Sequence, residues 1–237
     1  MPRMNVPVGC FSLLLAAVYS VTVYGFEMTD AERALLPEYC RHQSNVSERH
    51  ANMPRDPRWE AYLGKSFIHI HHYCWALANI GRSYKSTLPK SMRISLLGGA
   101  VKDIDYVLQR GGPEFPARAE AFTNRGQALL RLGEMRRTEG SGYAAPQVDE
   151  IKQAQESFAL AHESNPAYSR AYVIWAVYLK QHGHQAEALK EVEEGLKNAP
   201  NATALQSLRK DLVGRSDKAD KTDKTDKTDK TDKADKK

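Results

Sequence analysis

Residues 67 to 75 read FIHIHHYCW, three imidazoles and a thiol among aromatic and aliphatic side chains. At helical spacing His69 and His72 share one face, and His71 lies one turn before Cys74. Two donors one turn apart can bind zinc or copper, with His42 or His50 as further ligands. A second chemistry is nucleophilic attack by Cys74. That needs an oriented base, an acid that orients it and an oxyanion hole, and spacing along one helix supplies none of these. Neither H-E-x-x-H nor C-x-x-C-H occurs, so no zinc-protease or haem-attachment pattern is present. The remaining reading is structural, with the imidazoles packed at a helix interface and hydrogen bonded there.

The flanking elements bear on that choice. Arg3 is the only charge before an uncharged stretch from residue 6 to residue 26, after which Glu27, Asp30 and Glu32 begin a polar region. A positive start, an apolar middle and small residues near its end make an export signal over residues 1–25, with Val23 and Gly25 at the cleavage positions. The stretch over residues 6–26 is also near the roughly 20 residues of a spanning helix, so retention as a membrane tether is the alternative. In both cases the remainder is expected outside the cytoplasm, in the periplasm or secreted. Cys10 precedes most of the apolar region, unlike a lipidated cysteine, so Cys40 and Cys74 remain as an even pair in an oxidising compartment. A disulfide between them reads most economically, stabilises the fold by roughly 3 to 4 kcal/mol and consumes the thiolate that a metal site or nucleophile would need. It therefore favours structural histidines.

At the other end, residues 216–237 repeat Asp-Lys plus one small residue with almost nothing apolar to bury. The sequence predicts a disordered, solvated tail. Its alternating signs differ from the one-signed arms that bind nucleic acid, and no basic stripe with interleaved aromatics accompanies the formal charge of +5. No nucleic-acid partner is expected. Residues 27 to 215 remain, one domain's length.

Within that body, PAYSRAYVIWAVYLKQHGHQAEALKEVEEGLKNAP, residues 166 to 200, places two prolines 34 residues apart around two amphipathic stretches and a glycine. The stretch resembles a tetratricopeptide repeat, a helical hairpin of period 34. Its large residues fall on Tyr172, Trp175, Leu179 and Val192, its small ones on Ala176, Ala188 and Gly195, its turn on Gly183 and its closing proline on Pro200. Small facing side chains let the two helices approach while the large ones fill the space around them. An altered copy precedes it over 117–166: Phe122, Gly126, Leu129 and Gly133 fit its first helix, and Ala154, Phe158, Ala161 and Pro166 fit its second. Between them residues 134–149, rich in Gly, Ser and Pro, read as a loop inserted at the hairpin turn. A more degenerate hairpin is expected within the N-terminal region 26–116, with one helix from Trp59 to Lys85 and another from Met92 to Arg110, and residues 202 to 213 read as a capping helix. No segment alternates with period two for long enough to make a sheet, so the expected fold class is all-α, a solenoid of about three hairpins with a C-terminal cap.

Residues 37 to 40, PEYC, and 69 to 75, HIHHYCW, are also similar to stretches paired in a group of exported bacterial repeat proteins of unknown function. That resemblance implies a periplasmic setting and no activity. The tetratricopeptide resemblance implies a concave surface lined by first-helix positions, here Glu120, Thr123, Gln127, Leu130 and Arg131, then Arg170, Val173, Val177, Lys180 and Gln181. The Lys and Asn pairs that clamp a terminal carboxylate in chaperone-binding relatives are missing. An extended protein or peptide segment with apolar side chains and an acidic flank fits the strip better. The expected function is a non-catalytic, exported scaffold without a cofactor that binds such a partner. The alternative is a periplasmic copper- or zinc-binding protein using His69, His71 and His72.

Overall fold

The computed structural model describes residues 27–41, 56–137 and 150–214. Within them the chain is all-α. In order it forms α1 (Asp30–Ala34), α2 (Glu38–Arg41), α3 (Pro57–Leu63), α4 (Ile70–Arg82), α5 (Lys90–Gly111), α6 (Arg118–Arg137), α7 (Glu150–Ser164), α8 (Ser169–Gln181) and α9 (Gln185–Asn198), and α10 spans 203–214. The expected export segment, His42, His50, most of the inserted loop and the Asp-Lys tail lie outside the described residues. Among the described residues no helix is long and apolar enough to cross a membrane.

Three hairpins follow one another: α4 packs on α5, α6 on α7 and α8 on α9. The burial pattern explains why these segments are helices. Leu97, Ala100, Ile104 and Val107 of α5 recur every three or four residues, and all four are fully buried. In the second and third hairpins the small residues sit at the helix contacts, with Ala154, Ala161, Ala176 and Ala188 fully buried. Gly126 marks a close approach of α6 and α7, since a Cβ there would lie 2.8 Å from the Phe158 ring. Gly195 holds the same relation to Tyr172 and Leu205. Phe158 stacks on Trp175 with ring centroids 5.6 Å apart, which carries the core from the second hairpin into the third. Leu205 and Leu212 of α10 close a smaller cluster with Tyr172, Ala176 and Val192, at the place expected for the cap.

The region from Trp59 to Lys85 is interrupted rather than one continuous helix. Asp56 caps α3 by accepting the Arg58 N–H at 2.9 Å, and Pro57 occupies the first turn, where no donor is missed. Gly64 then takes φ +52°, a conformation that ends the helix. A 3-10 stretch, Gly64–His69, leads into α4, so the histidine-rich stretch straddles a junction. At the far end of the second hairpin's first helix, α6 continues to Arg137 and takes residues 134–137 of the expected loop into the helix.

Residues 27–41 form a strap across the first hairpin. Thr29 caps α1 through a reciprocal pair of bonds with Glu32, both 3.2 Å. Met28, Leu36, Tyr39 and Cys40 of the strap are buried in the main core. Three ties fix it to α4 and the turn that follows. Cys40 is bonded to Cys74 with Cα atoms 5.5 Å apart. Arg82, only 4% exposed, donates to Glu32 at 2.8 and 3.0 Å and to the Glu27 carbonyl at 3.1 Å. Lys85 adds a bond to Glu32 at 2.9 Å.

Candidate functional site

The histidines of the opening stretch are spread over α5. His69 Nδ1 lies 3.0 Å from the Tyr106 hydroxyl, and His72 Nδ1 lies 2.9 Å from Asp103 Oδ1. Asp103 and Tyr106 are one turn apart on α5, so the two imidazoles form successive polar links between the helices of the first hairpin. The His72 ring also rests 4.4 Å from Tyr106 and 4.4 Å from His71. Burial, then the neighbouring His72, pulls the His71 pKa below its ordinary value, and burial followed by Arg110 does the same to His69. Among the described residues no group of three or more His, Cys, Asp or Glu side chains is arranged to hold a metal ion. Both sulfurs of the Cys40–Cys74 bond are fully buried, so Cys74 offers no thiolate.

The expected binding strip is organised differently. Glu120 accepts hydrogen bonds from Tyr39 at 3.1 Å and Tyr73 at 3.0 Å. Asn124 Nδ2 donates to the Tyr73 hydroxyl at 2.6 Å, and Asn124 Oδ1 accepts from Arg170 Nη1 at 3.0 Å. Arg170 Nη2 donates to Gln127 Oε1 at 3.0 Å, and Gln127 Nε2 donates to the Tyr84 hydroxyl at 3.0 Å. Arg131 lies 3.8 Å over the Tyr84 ring and donates to Ser83 Oγ at 3.0 Å and Ser83 O at 2.7 Å. One polar chain thus runs from the strap across all three hairpins. Burial first, then the nearby Glu120, raises the Tyr39 pKa well above its usual value, and burial, Tyr39 and Glu120 raise that of Tyr73, so these two phenols stay protonated.

Four of the expected positions, Glu120, Gln127, Arg131 and Arg170, meet in this chain. Val173 and Val177 are half-buried on α8, and Gln181 is exposed at its end. Thr123 and Leu130 are buried, Thr123 bonding back to the Ala119 carbonyl at 2.8 Å. Lys180 is ion-paired with Asp211 of α10 and stands apart from the chain. Tyr39, Tyr73, Ser83, Tyr84 and Asn124 were not anticipated. Two of them had a signal: Tyr-Cys occurs at 39–40 and again at 73–74. The bond between the two cysteines brings the preceding tyrosines to one carboxylate.

Arg131 and Arg170 differ from the other cations nearby. Their hydrogen-bond acceptors among the described residues are the Ser83 hydroxyl and carbonyl and two amide oxygens, all neutral, and the Tyr168 phenol also lies against Arg170. Among the described residues neither makes an ion pair, whereas Arg82 and Lys85 share Glu32 and Lys180 has Asp211. The two guanidiniums are thus positioned, among the described residues, without a carboxylate at ion-pair distance. Comparison with protein-family models, curated proteins and solved structures finds no match for this chain.

Proposed function

We propose that this chain is an exported, non-catalytic helical-repeat scaffold of the tetratricopeptide kind. It binds an extended segment of a protein partner along the strip, with acidic side chains of that segment meeting Arg131 and Arg170. The observation that carries the reading is that pair of guanidiniums, held by neutral acceptors beside an exposed Tyr84 and the half-buried Val173 and Val177. Carboxylates would add charge-assisted bonds there, and Tyr84 and the valines would take apolar side chains. A buried disulfide and the apolar stretch over residues 6–26 support an extracytoplasmic setting. The histidine stretch carries no second reading, because among the described residues no group of three or more His, Cys, Asp or Glu side chains is arranged to hold a metal ion.

A library of unstructured peptides selected on the full chain tests this. Selected peptides should carry Asp or Glu beside an apolar or aromatic residue. Arg131→Gln with Arg170→Gln should weaken their binding roughly tenfold or more while circular dichroism shows the chain still folded. Unchanged affinity in the folded double variant would place the binding surface elsewhere.

A further inference from the structure

The seam between the second and third hairpins carries polar links at two levels. Through the first helices, Arg170 of α8 reaches Asn124 and Gln127 of α6, and Arg137 of α6 reaches the Tyr178 hydroxyl at 3.3 Å. Through the second helices, His162 of α7 meets Glu191 of α9, with Nε2 and Oε1 3.4 Å apart. Both atoms are shielded from solvent, yet neither makes a hydrogen bond. The two side chains are 21% and 19% exposed. The His162 ring lies parallel to Tyr172 of α8, with centroids 3.7 Å apart and planes 6° apart. Tyr172 in turn backs onto Gly195, where a Cβ would lie 2.8 Å from its ring. The imidazole is thus held in a stack against α8. The groups acting on the pair are Glu194 and Lys190 from α9, and α8 presents the Tyr172 phenol.

We infer that His162 and Glu191 form a pH-compensated joint, in which closing the seam moves one proton from the imidazole to the carboxyl, so that the hairpins stay equally well closed across mildly acidic and neutral pH. Burial disfavours the charged form of each group, and an unaligned contact at 3.4 Å does little to offset that. Burial lowers the His162 pKa from 6.5 to about 4. It raises that of Glu191 from 4.5 to about 7, and the charge of Glu194 adds to the rise. The signs oppose one another. The Glu191 contribution is complete below 4.5 and is lost as the pH rises through about 7. The His162 contribution is complete above 6.5 and is lost as the pH falls through about 4. Between 4.5 and 6.5 what one group loses the other regains, because the pair as a whole neither takes up nor releases a proton on closing. The joint therefore keeps Arg170 aligned with Asn124 and Gln127 at different ambient pH values. This inference does not rest on the partner-binding reading.

Native-state hydrogen exchange of the α8 and α9 amides, corrected for intrinsic rates, tests it on the full chain. The wild-type opening constant should change no more than about threefold from pH 4.5 to 8. Glu191→Gln should open roughly a hundredfold or more on going from pH 7 to 4, and His162→Gln should open by a similar factor on going from 4.5 to 7. The double variant should be flat. A wild-type drift beyond about tenfold, or flat single variants, overturns the inference. Carbon NMR of the wild-type chain gives a readout that needs no variant. A protonated Glu191 carboxyl and a neutral His162 at pH near 5.5 are expected, and a carboxylate beside an imidazolium refutes the joint.

Discussion

Removing the Cys40–Cys74 bond should both destabilise the chain and free the strap. The bond closes a loop with a sequence separation of 34, for which chain entropy gives roughly 4 kcal/mol. Both sulfurs are fully buried, so Cys40→Ala with Cys74→Ala adds a small void costing about 1 kcal/mol. For a domain of this size the sum lowers the melting temperature by roughly 10 to 20 °C. The loss should be uneven. Helices α1 and α2 have five and four residues, far below the length at which a helix holds itself together. Without the bridge the strap depends on Met28, Leu36, the Arg82–Glu32 pair and the Tyr39–Glu120 bond. Circular dichroism melts, paired with limited trypsin digestion below the melting temperature, read both effects. Cleavage after Arg33, buried in the native strap, should appear early in the variant and not in the wild type. If the variant melts within about 3 °C of wild type and Arg33 stays protected, packing rather than the bridge holds the strap, and the entropic argument fails.

Two further substitutions probe the packing and the charge. Gly126→Ala should destabilise by roughly 1 to 3 kcal/mol, because its Cβ meets the Phe158 ring at 2.8 Å and outweighs the gain of about 1 kcal/mol in helix propensity. Gly99→Ala on α5, where nothing lies within 4 Å, should instead stabilise by up to about 1 kcal/mol, and the same sign in both chemical-denaturation curves would contradict the crossing geometry. The hydrogen bond from Arg82, aided by Lys85, lowers the Glu32 pKa from 4.5 to about 2, so Glu32→Gln should cost roughly 1 to 3 kcal/mol at neutral pH, solvent around Lys85 screening part of the full shift. Because folding depresses this pKa, the contribution is complete above 4.5 and disappears as the pH falls through about 2, where the wild-type and variant stability curves should meet.

The hairpins were legible because close helix contacts demand small residues at fixed spacing, and Gly126, Ala154, Ala176, Ala188 and Gly195 carry that demand in the sequence. The break at Gly64 was hidden by an apolar pattern that continues past it into α4, although the backbone does not. The strip was legible only in part. A register picks out Gln127, Arg131 and Arg170 from the first helices, but it cannot show that Asp211 of α10 comes back to Lys180. Nor can it find Ser83 and Tyr84, which lie in the turn after α4 and have no periodic position. His162 and Glu191 were invisible for another reason. In a local window each reads as an ordinary exposed polar residue of a second helix, and only the stacking of two hairpins buries them.

The strap also gives the strip a direction. At its α1–α2 end the one carboxylate in the polar chain, Glu120, already accepts from two phenols, one of them contributed by the strap itself. A partner's donors would have to displace Tyr39, which is buried and adjacent to a covalent bond. Farther along, Arg170, Gln127, Tyr84 and Arg131 contact one another and are partly exposed, and among the described residues the two cations have neutral acceptors. Charge at the strap end is thus met within the chain, while charge at the other end is only oriented. A bound segment following the strip would therefore set its acidic residues away from Tyr39, toward Arg170 and Arg131, with Tyr84 of the first hairpin beside them. In the proposed reading Arg170 would be shared between the strip and the seam that His162 and Glu191 join, so its alignment with Asn124 and Gln127 is where stability of the seam and binding would meet.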